Sequence, residues 1–559
     1  MIMEIYNKDS LTEMTTHSKL LFLLLSLAVM ACKKRQKADL IVTNATVYTV
    51  DSAFSVVESF AVANGKIVAV GTTDKVLTAY SSDTILNLKG KFVYPGFIDA
   101  HCHFLGYGLG LPKAWLAGAK SWSEVVNRLV EHQNKYPTEW VEGRGWNQNE
   151  WDNKEFPNNE LLNSAFPNKP VFIVRVDGHA AIANSKALEI AGITENTEVL
   201  GGKIVLKNGK PTGVLIDNAM ELIRKHIPTP SKEQKVQALL NAQQNCFAVG
   251  LTGVHDAGLD ADEVELIDSL QQAGNLKIRI NAMLNPTNDN FERYISKGIY
   301  STDRLTVRSI KIYADGALGS RGALLLTPYT DDPKTRGIQV EPSEKLDSIC
   351  NIAFKHGYQV CTHCIGDAAV RLMLDLYSKY LPKGNDLRWR IEHSQVVNPT
   401  DLPRYGKFNV IPSVQTTHAT SDMFWAVNRL GNRVKYAYAY QKLLAQNGWL
   451  PNGSDFPIED INPLCGFYAA VARKNLNGEP QEGFQMENAL TREQALRAMT
   501  IWAAKACFEE NLKGSIEVGK FADFVVLDLD LINSEICNIP NAHVLQTFIN
   551  GENIFTKKQ

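Results

Sequence analysis

The chain has 559 residues, enough for a barrel of roughly 250 residues with further modules attached. With 45% hydrophobic and 21% charged residues it has the composition of an ordinary globular protein. A formal net charge of −2 argues against a nucleic-acid partner, which needs a basic face to pair with phosphates.

Near the N-terminus Lys19 precedes an apolar run, residues 20–30, that ends at Ala31-Cys32. The run is too short to cross a bilayer as a helix and has the length of a signal-peptide core. Val29-Met30-Ala31-Cys32 resembles a bacterial lipobox, in which cleavage precedes a Cys that is then lipidated. Met1, Met3 and Met14 are all possible starts, and an uncleaved anchor is the alternative. The expectation is a signal over 1–31, a basic solvated tether over 32–38, and lipidation of Cys32. The protein would then be anchored to a membrane of the bacterial cell envelope, facing the periplasm or the exterior.

Residues 39–71 read as short strands, with Asn64-Gly65 as a hairpin turn. A second β-rich piece lies at 522–554, turning at Asn550-Gly551. Two such pieces around an α/β middle suggest one small β domain built from both termini, 39–95 and 511–559. Residues 96–510 alternate apolar strands with helical patterns, the signature of βα units and here of a (β/α)8 barrel. Its strands are predicted to end near His103, His255, Met283, Lys311, His363, His393, Val414 and Ser454. The stretch 105–250 is too long for one crossover helix and reads as an inserted subdomain over the barrel mouth. Eight cysteines beyond Cys32 show no disulfide-framework spacing. Cys361 and Cys364 form a lone C-x-x-C, weak evidence for a zinc or redox site and more simply two buried thiols.

The most informative string is Pro95-Gly96-Phe97-Ile98-Asp99-Ala100-His101-Cys102-His103. Side chains alternate along a strand, so His101 and His103 share a face and can hold one divalent ion. Alone, the pair fits a structural role equally well. His363, His393 and Asp455 each follow a further predicted strand, at the face where (β/α)8 enzymes assemble their sites. Lys311 sits inside an apolar strand. Buried beside cations its amine would be held neutral, and a neutral amine can add carbon dioxide to give a carbamate that bridges two metals. The alternative is a Lys that reaches the strand end or the substrate.

The strings PGFIDAHCH, RVDGHAAIANSKAL, KIYADGALGSR, THCIGDAA, RIEHSQ, PNGSDFP and GSIEVGKFADFVVLD resemble the amidohydrolase superfamily. The branch is the YtcJ-like or N-substituted-formamide-deformylase-like one. The resemblance runs from about Ala38 to the C-terminus. It implies a (β/α)8 barrel with a composite β-sandwich. It also implies that His101 and His103 bind a buried metal, carbamylated Lys311 bridges, His363 and His393 bind a second metal, and Asp455 contacts the first metal and the attacking water. Two zinc ions are the expectation, with iron, manganese or nickel able to share such shells. Gln415-Thr416-Thr417-His418 and Cys364 depart from the family pattern and bear on substrate choice.

The chemistry implied is hydrolysis of a non-peptide C–N bond in a small amide, N-acyl or N-formyl substrate, with Asp455 as general base and then acid. His179, Trp146, Asp315, Arg321 and His418 are the candidate substrate contacts, and Trp151 a possible partner of Trp146 in an aromatic wall. Deamination of a cyclic amidine and a ligand-binding lipoprotein without turnover are the competing readings. A homodimer is compatible with the sequence.

Overall fold

The computed structural model describes residues 35–558, so the signal run and Cys32 lie outside the described residues. Among the described residues no helix is long and apolar enough to cross a membrane.

Seven parallel strands form a nearly closed barrel: β1 (Phe97–Cys102), β2 (Leu251–Leu259), β3 (Arg279–Leu284), β4 (Leu305–Tyr313), β5 (Gln359–Cys364), β6 (Arg390–His393) and β7 (Ile411–Ser413). Parallel strands are covered on both faces, which is why these segments are almost wholly buried. The eighth position is taken by an extended segment rather than a regular strand. Asn452 bridges to Val414 in parallel, Ala100 N donates to Asn452 O at 3.3 Å, and Asp455 N donates to His101 O at 2.7 Å. Pro451 lacks the N–H that a full ladder would need. β2 continues to Leu259, so His255 sits inside the barrel rather than at a strand end.

The chain between β1 and β2 carries a six-stranded sheet running from Ala114–Trp115 to Lys210–Asp217. Its central strand Val171–Arg175 alternates: Val171 and Ile173 face a core with Trp146 and Trp151, and Phe172 faces a second core with Leu215 and Ile223. The flanking helices Phe104–Gly110 and Lys232–Ala248 pack into the barrel core instead, through Phe104, Leu105, Leu239 and Phe247. The separate unit is thus narrower than the span 105–250.

Near the chain ends, Phe524–Leu527 pairs antiparallel with Phe92–Pro95, so strands from both termini share one sheet. Val42, Phe60, Val93, Phe524 and Phe548 fill a common core there. Gln36–Lys37 pairs with Tyr80–Ser81, which makes the end of the basic stretch a short strand. Cys361 and Cys364 are buried free thiols.

Candidate metal centre

β1 aims Asp99 and His101 to one side by alternation, and His103 follows at its end. Asp99 accepts hydrogen bonds from Ser454 N at 3.1 Å and Ser454 Oγ at 2.6 Å, which stitches the eighth segment onto β1. Gly453 makes this close approach possible, because a Cβ there would collide with the His101 backbone nitrogen. Asp455 follows with φ 62°, in the left-handed region where a non-glycine residue is strained. The strain is held by the bonds on either side of it.

The histidines converge on Asp455 with their ring tautomers set by their other partners. His101 Nδ1 lies 2.6 Å from Glu392 Oε2, and His103 Nδ1 lies 2.9 Å from Ala257 O. His393 Nδ1 lies 2.6 Å from Gln415 Oε1. In each pair the nitrogen faces an acceptor and must carry the proton, which leaves Nε2 as a bare lone pair. Asp455 Oδ1 is 3.4 Å from His103 Nε2 and 3.7 Å from His101 Nε2, and it is buried with no hydrogen-bond partner. His103 Nε2 and Asp455 Oδ1 thus meet lone pair to lone pair, an arrangement a cation satisfies, while His101 Nε2 also faces the Lys311 amine at 3.0 Å. The ligand atoms of His101, His393 and Asp455 all lie within 4.8 Å of one another, a spacing that can hold a divalent ion.

His363 and Lys311 complete the cluster. The His363 and His393 rings are 4.5 Å apart, and His363 Nε2 faces Gly316 O at 3.4 Å, leaving Nδ1 free. Lys311 is 1% exposed, with Nζ 3.0 Å from His101 Nε2. Among the described residues it forms no ion pair with a carboxylate. Burial, then the Lys311 charge, brings His101 down to about 4. Burial likewise holds His363 and His393 well below the usual histidine value, so all three are neutral ligands near pH 7. Burial pushes the Asp455 carboxyl up, but His103, His418 and the surrounding histidines outweigh it and keep it ionised.

A cavity of about 600 Å³ opens above this cluster, roofed by the inserted sheet. His179 lines it, its ring 4.6 Å from His363 and its Nδ1 2.8 Å from Asp217. His418 also lines it, between Asp455 Oδ2 at 3.6 Å and Glu459 Oε1 at 3.1 Å. Burial lowers the His418 pKa, but those two carboxylates more than offset it and raise it to about 10.

Three of the predicted contacts stand elsewhere. Trp146 is fully buried in the inserted sheet's core, its Nε1 donating to Ile173 O at 3.0 Å, and Trp151 packs beside it. The expected aromatic wall is therefore core, not cavity lining. Arg321 is turned away to Asp331 at 3.0 Å. Asp315 is buried beneath the site, where it accepts from Ile365 N at 3.0 Å and from Gly366 N and Leu324 N at 2.8 Å. It shapes the β5 turn that carries His363.

Glu392 and Arg144 went unread in the sequence, and Gln415, read there only as bearing on substrate choice, instead faces His393 Nδ1 at 2.6 Å. Glu392 stands beside His393 in RIEHSQ and, with Arg390, points into the barrel, where Arg390 Nη2 donates to it at 2.9 Å. An acid one residue from a candidate ligand was the available signal. Alternation would then aim His393 outward; its φ of 70° turns the ring back to the cluster.

An amidohydrolase family model matches residues 84–555. The chain is 35% identical over 538 residues to the Arabidopsis thaliana protein LONG AFTER FAR-RED 3, covering 93% of this chain and 92% of that one. It is 31% identical to the putative amidohydrolase YtcJ of Bacillus subtilis, over 91% of this chain and 98% of that one. It is 29% identical to the N-substituted formamide deformylase of Arthrobacter pascens, over 92% and 98%. A solved structure of an uncharacterized metal-dependent hydrolase from Pyrococcus horikoshii superposes with a TM-score of 0.72 at 30% identity, covering 89% of this chain and 99% of that one. With the barrel, the convergent ligand atoms and these relatives in agreement, the chain belongs to the amidohydrolase family.

Proposed function

We propose that this protein hydrolyses a non-peptide C–N bond in a small amide, with N-acyl and N-formyl compounds as the substrate class. The observation that carries the reading is Asp455 Oδ1, buried without a hydrogen-bond partner among the described residues and 3.4 Å from His103 Nε2. His101, His103 and Asp455 would hold one divalent ion, zinc by preference, and His363 and His393 a second. Lys311 would bridge them as a carbamate, formed when its ammonium gives up one proton to solvent and the amine makes an N–C bond to carbon dioxide with release of a second proton. Its burial without an acidic partner supports that role. A divalent ion bound there polarises the substrate carbonyl and makes water a nucleophile near pH 7.

The residues of the chain do the rest. Asp455, ionised and aimed at the cluster, accepts the proton of the attacking water and returns it to the leaving amine as the C–N bond breaks. His418 holds the second oxygen of that carboxylate and so fixes its orientation. Glu392 and Gln415 keep His101 and His393 in the ligating tautomer. The Arthrobacter pascens relative, whose name describes N-substituted formamides, is consistent with this class.

A panel of N-formyl and N-acyl amines, assayed before and after chelation and after zinc return, tests the reading. Free carboxylate and amine in equal amounts, lost on chelation and regained with zinc, are expected. Ammonia released from an intact cyclic amidine would replace this reading with deamination, and turnover indifferent to chelation would end it.

A further inference from the structure

One lysine and two arginines line the cavity, and among the described residues one of the three has no acid to answer it. Arg175 pairs with Asp177 at 2.6 Å and Lys113 with Glu142 at 2.5 Å. Arg144, on the inserted strand Val141–Trp146, forms no ion pair among the described residues. Its Nη2 donates to Val176 O at 3.2 Å, and its buried Nε has no partner at all. Asp455 and Asp177 act on it only through space; burial lowers its pKa to about 10, which leaves it charged at neutral pH.

The guanidinium has a glycine for its neighbour. It lies against Gly178, whose φ of 74° belongs to the left-handed region and where a Cβ would stand 3.5 Å from Nη2 and from Ile458 Cδ1. A partly buried cation without an anion is costly to keep in the free protein. Its planar fork matches a carboxylate, which it can take through two parallel hydrogen bonds. Asp177, Glu459 and Asp460 line the same cavity and disfavour a dianion, so a single negative charge is the better fit. Leu111, Trp115 and Ile458 offer an apolar surface close by.

The geometry points to a substrate that carries a carboxylate near its scissile amide, with Arg144 pairing that carboxylate: an N-acyl amino acid rather than an N-acyl amine. This inference rests on the reading of the barrel mouth as an amide-hydrolysing site. Arg144 is then the specificity determinant, supplied by the inserted sheet, while the barrel supplies the reaction.

The test uses N-formylphenylalanine, both enantiomers, against its decarboxylated counterpart N-formylphenethylamine, with the full-length, zinc-loaded protein. The wild type is expected to prefer one carboxylated enantiomer by at least about tenfold in kcat/KM, carried mostly by KM. Arg144→Gln should bring that ratio close to one, and Arg144→Lys, which keeps the charge but loses the fork, should retain part of it. A ratio near one in the wild type, or one unchanged in folded Arg144→Gln, overturns the inference. If neither amide is cleaved, hydrolysis of this class is contradicted, and the same ratios read as dissociation constants by calorimetry still decide the role of Arg144.

Discussion

At the floor of the barrel, Arg279 at the start of β3 gives Nε and Nη2 to Asp523 at 2.5 and 2.8 Å, and Nη2 also to Asn550 at 2.7 Å. Lys513 and Glu509 pair there too, with Thr306 donating to the same carboxylate at 2.5 Å. At the mouth, among the described residues, Asp455 Oδ1 has no donor, Lys311 no acid, and Arg144 no anion. The desolvation cost is of the same kind at both ends. At the floor the chain meets it internally, and the outcome is a rigid junction between the barrel and the β domain. At the mouth it is left for ligands to meet, and strained backbone at His393 and Asp455 adds to it. Buried charge satisfied within the chain marks structure, and buried charge left unsatisfied marks chemistry.

The sharpest way to break this comparison is at Asp455. Asp455→Asn should lower kcat by on the order of 10³-fold or more, since it removes the proton acceptor. In the chelated protein it should also cost some stability, because the ionised carboxylate is a partner of the cationic His418 and its pKa is held below the free value. A urea titration beside the kinetics separates the two effects.

The reciprocal change belongs at the floor. Asp523→Asn should cost about 3–5 kcal/mol of stability by leaving Arg279 uncompensated, while turnover per folded molecule stays near wild type. Burial raises the Asp523 pKa, but Arg279 outweighs it and the net shift is downward. Its contribution is therefore present above the unfolded carboxylate value of about 3.9 and lost as pH falls through the lower folded value. Wild-type unfolding measured from about pH 5 downward should show this loss, and Asp523→Asn should lack that part of it.

A smaller effect is expected where a neutral side chain only orients a ligand. Gln415→Leu removes the acceptor that fixes the His393 tautomer and should weaken zinc affinity by about 10- to 100-fold, read by competition with a chromogenic chelator. An unchanged affinity would mean that His393 needs no such support.

Much of this contrast was legible in the sequence, for identifiable reasons. Strand alternation aligned His101 with His103, and strand-end histidines stood out because packing does not call for them. The eighth barrel position was read as a strand but is extended chain at Pro451–Gly453, because apolar pattern does not report a broken ladder. Trp146 looked like a pocket wall because an aromatic fits a core and a cavity equally well by composition. Arg321 looked like a site residue from its nearness to Lys311, yet Asp331 takes it. Arg144 carried no signal, since an unpaired Arg and a paired one are the same letter until their partners are placed.

The central claim, that the mouth of the barrel is built around divalent metal, is tested most directly by metal stoichiometry. Chelated protein titrated with zinc in bicarbonate-containing buffer should take up two equivalents per chain, and the variant lacking His101 and His393 (both changed to Asn) should take up markedly less. Uptake below one equivalent in the wild type, or equal uptake in the variant, would contradict the account.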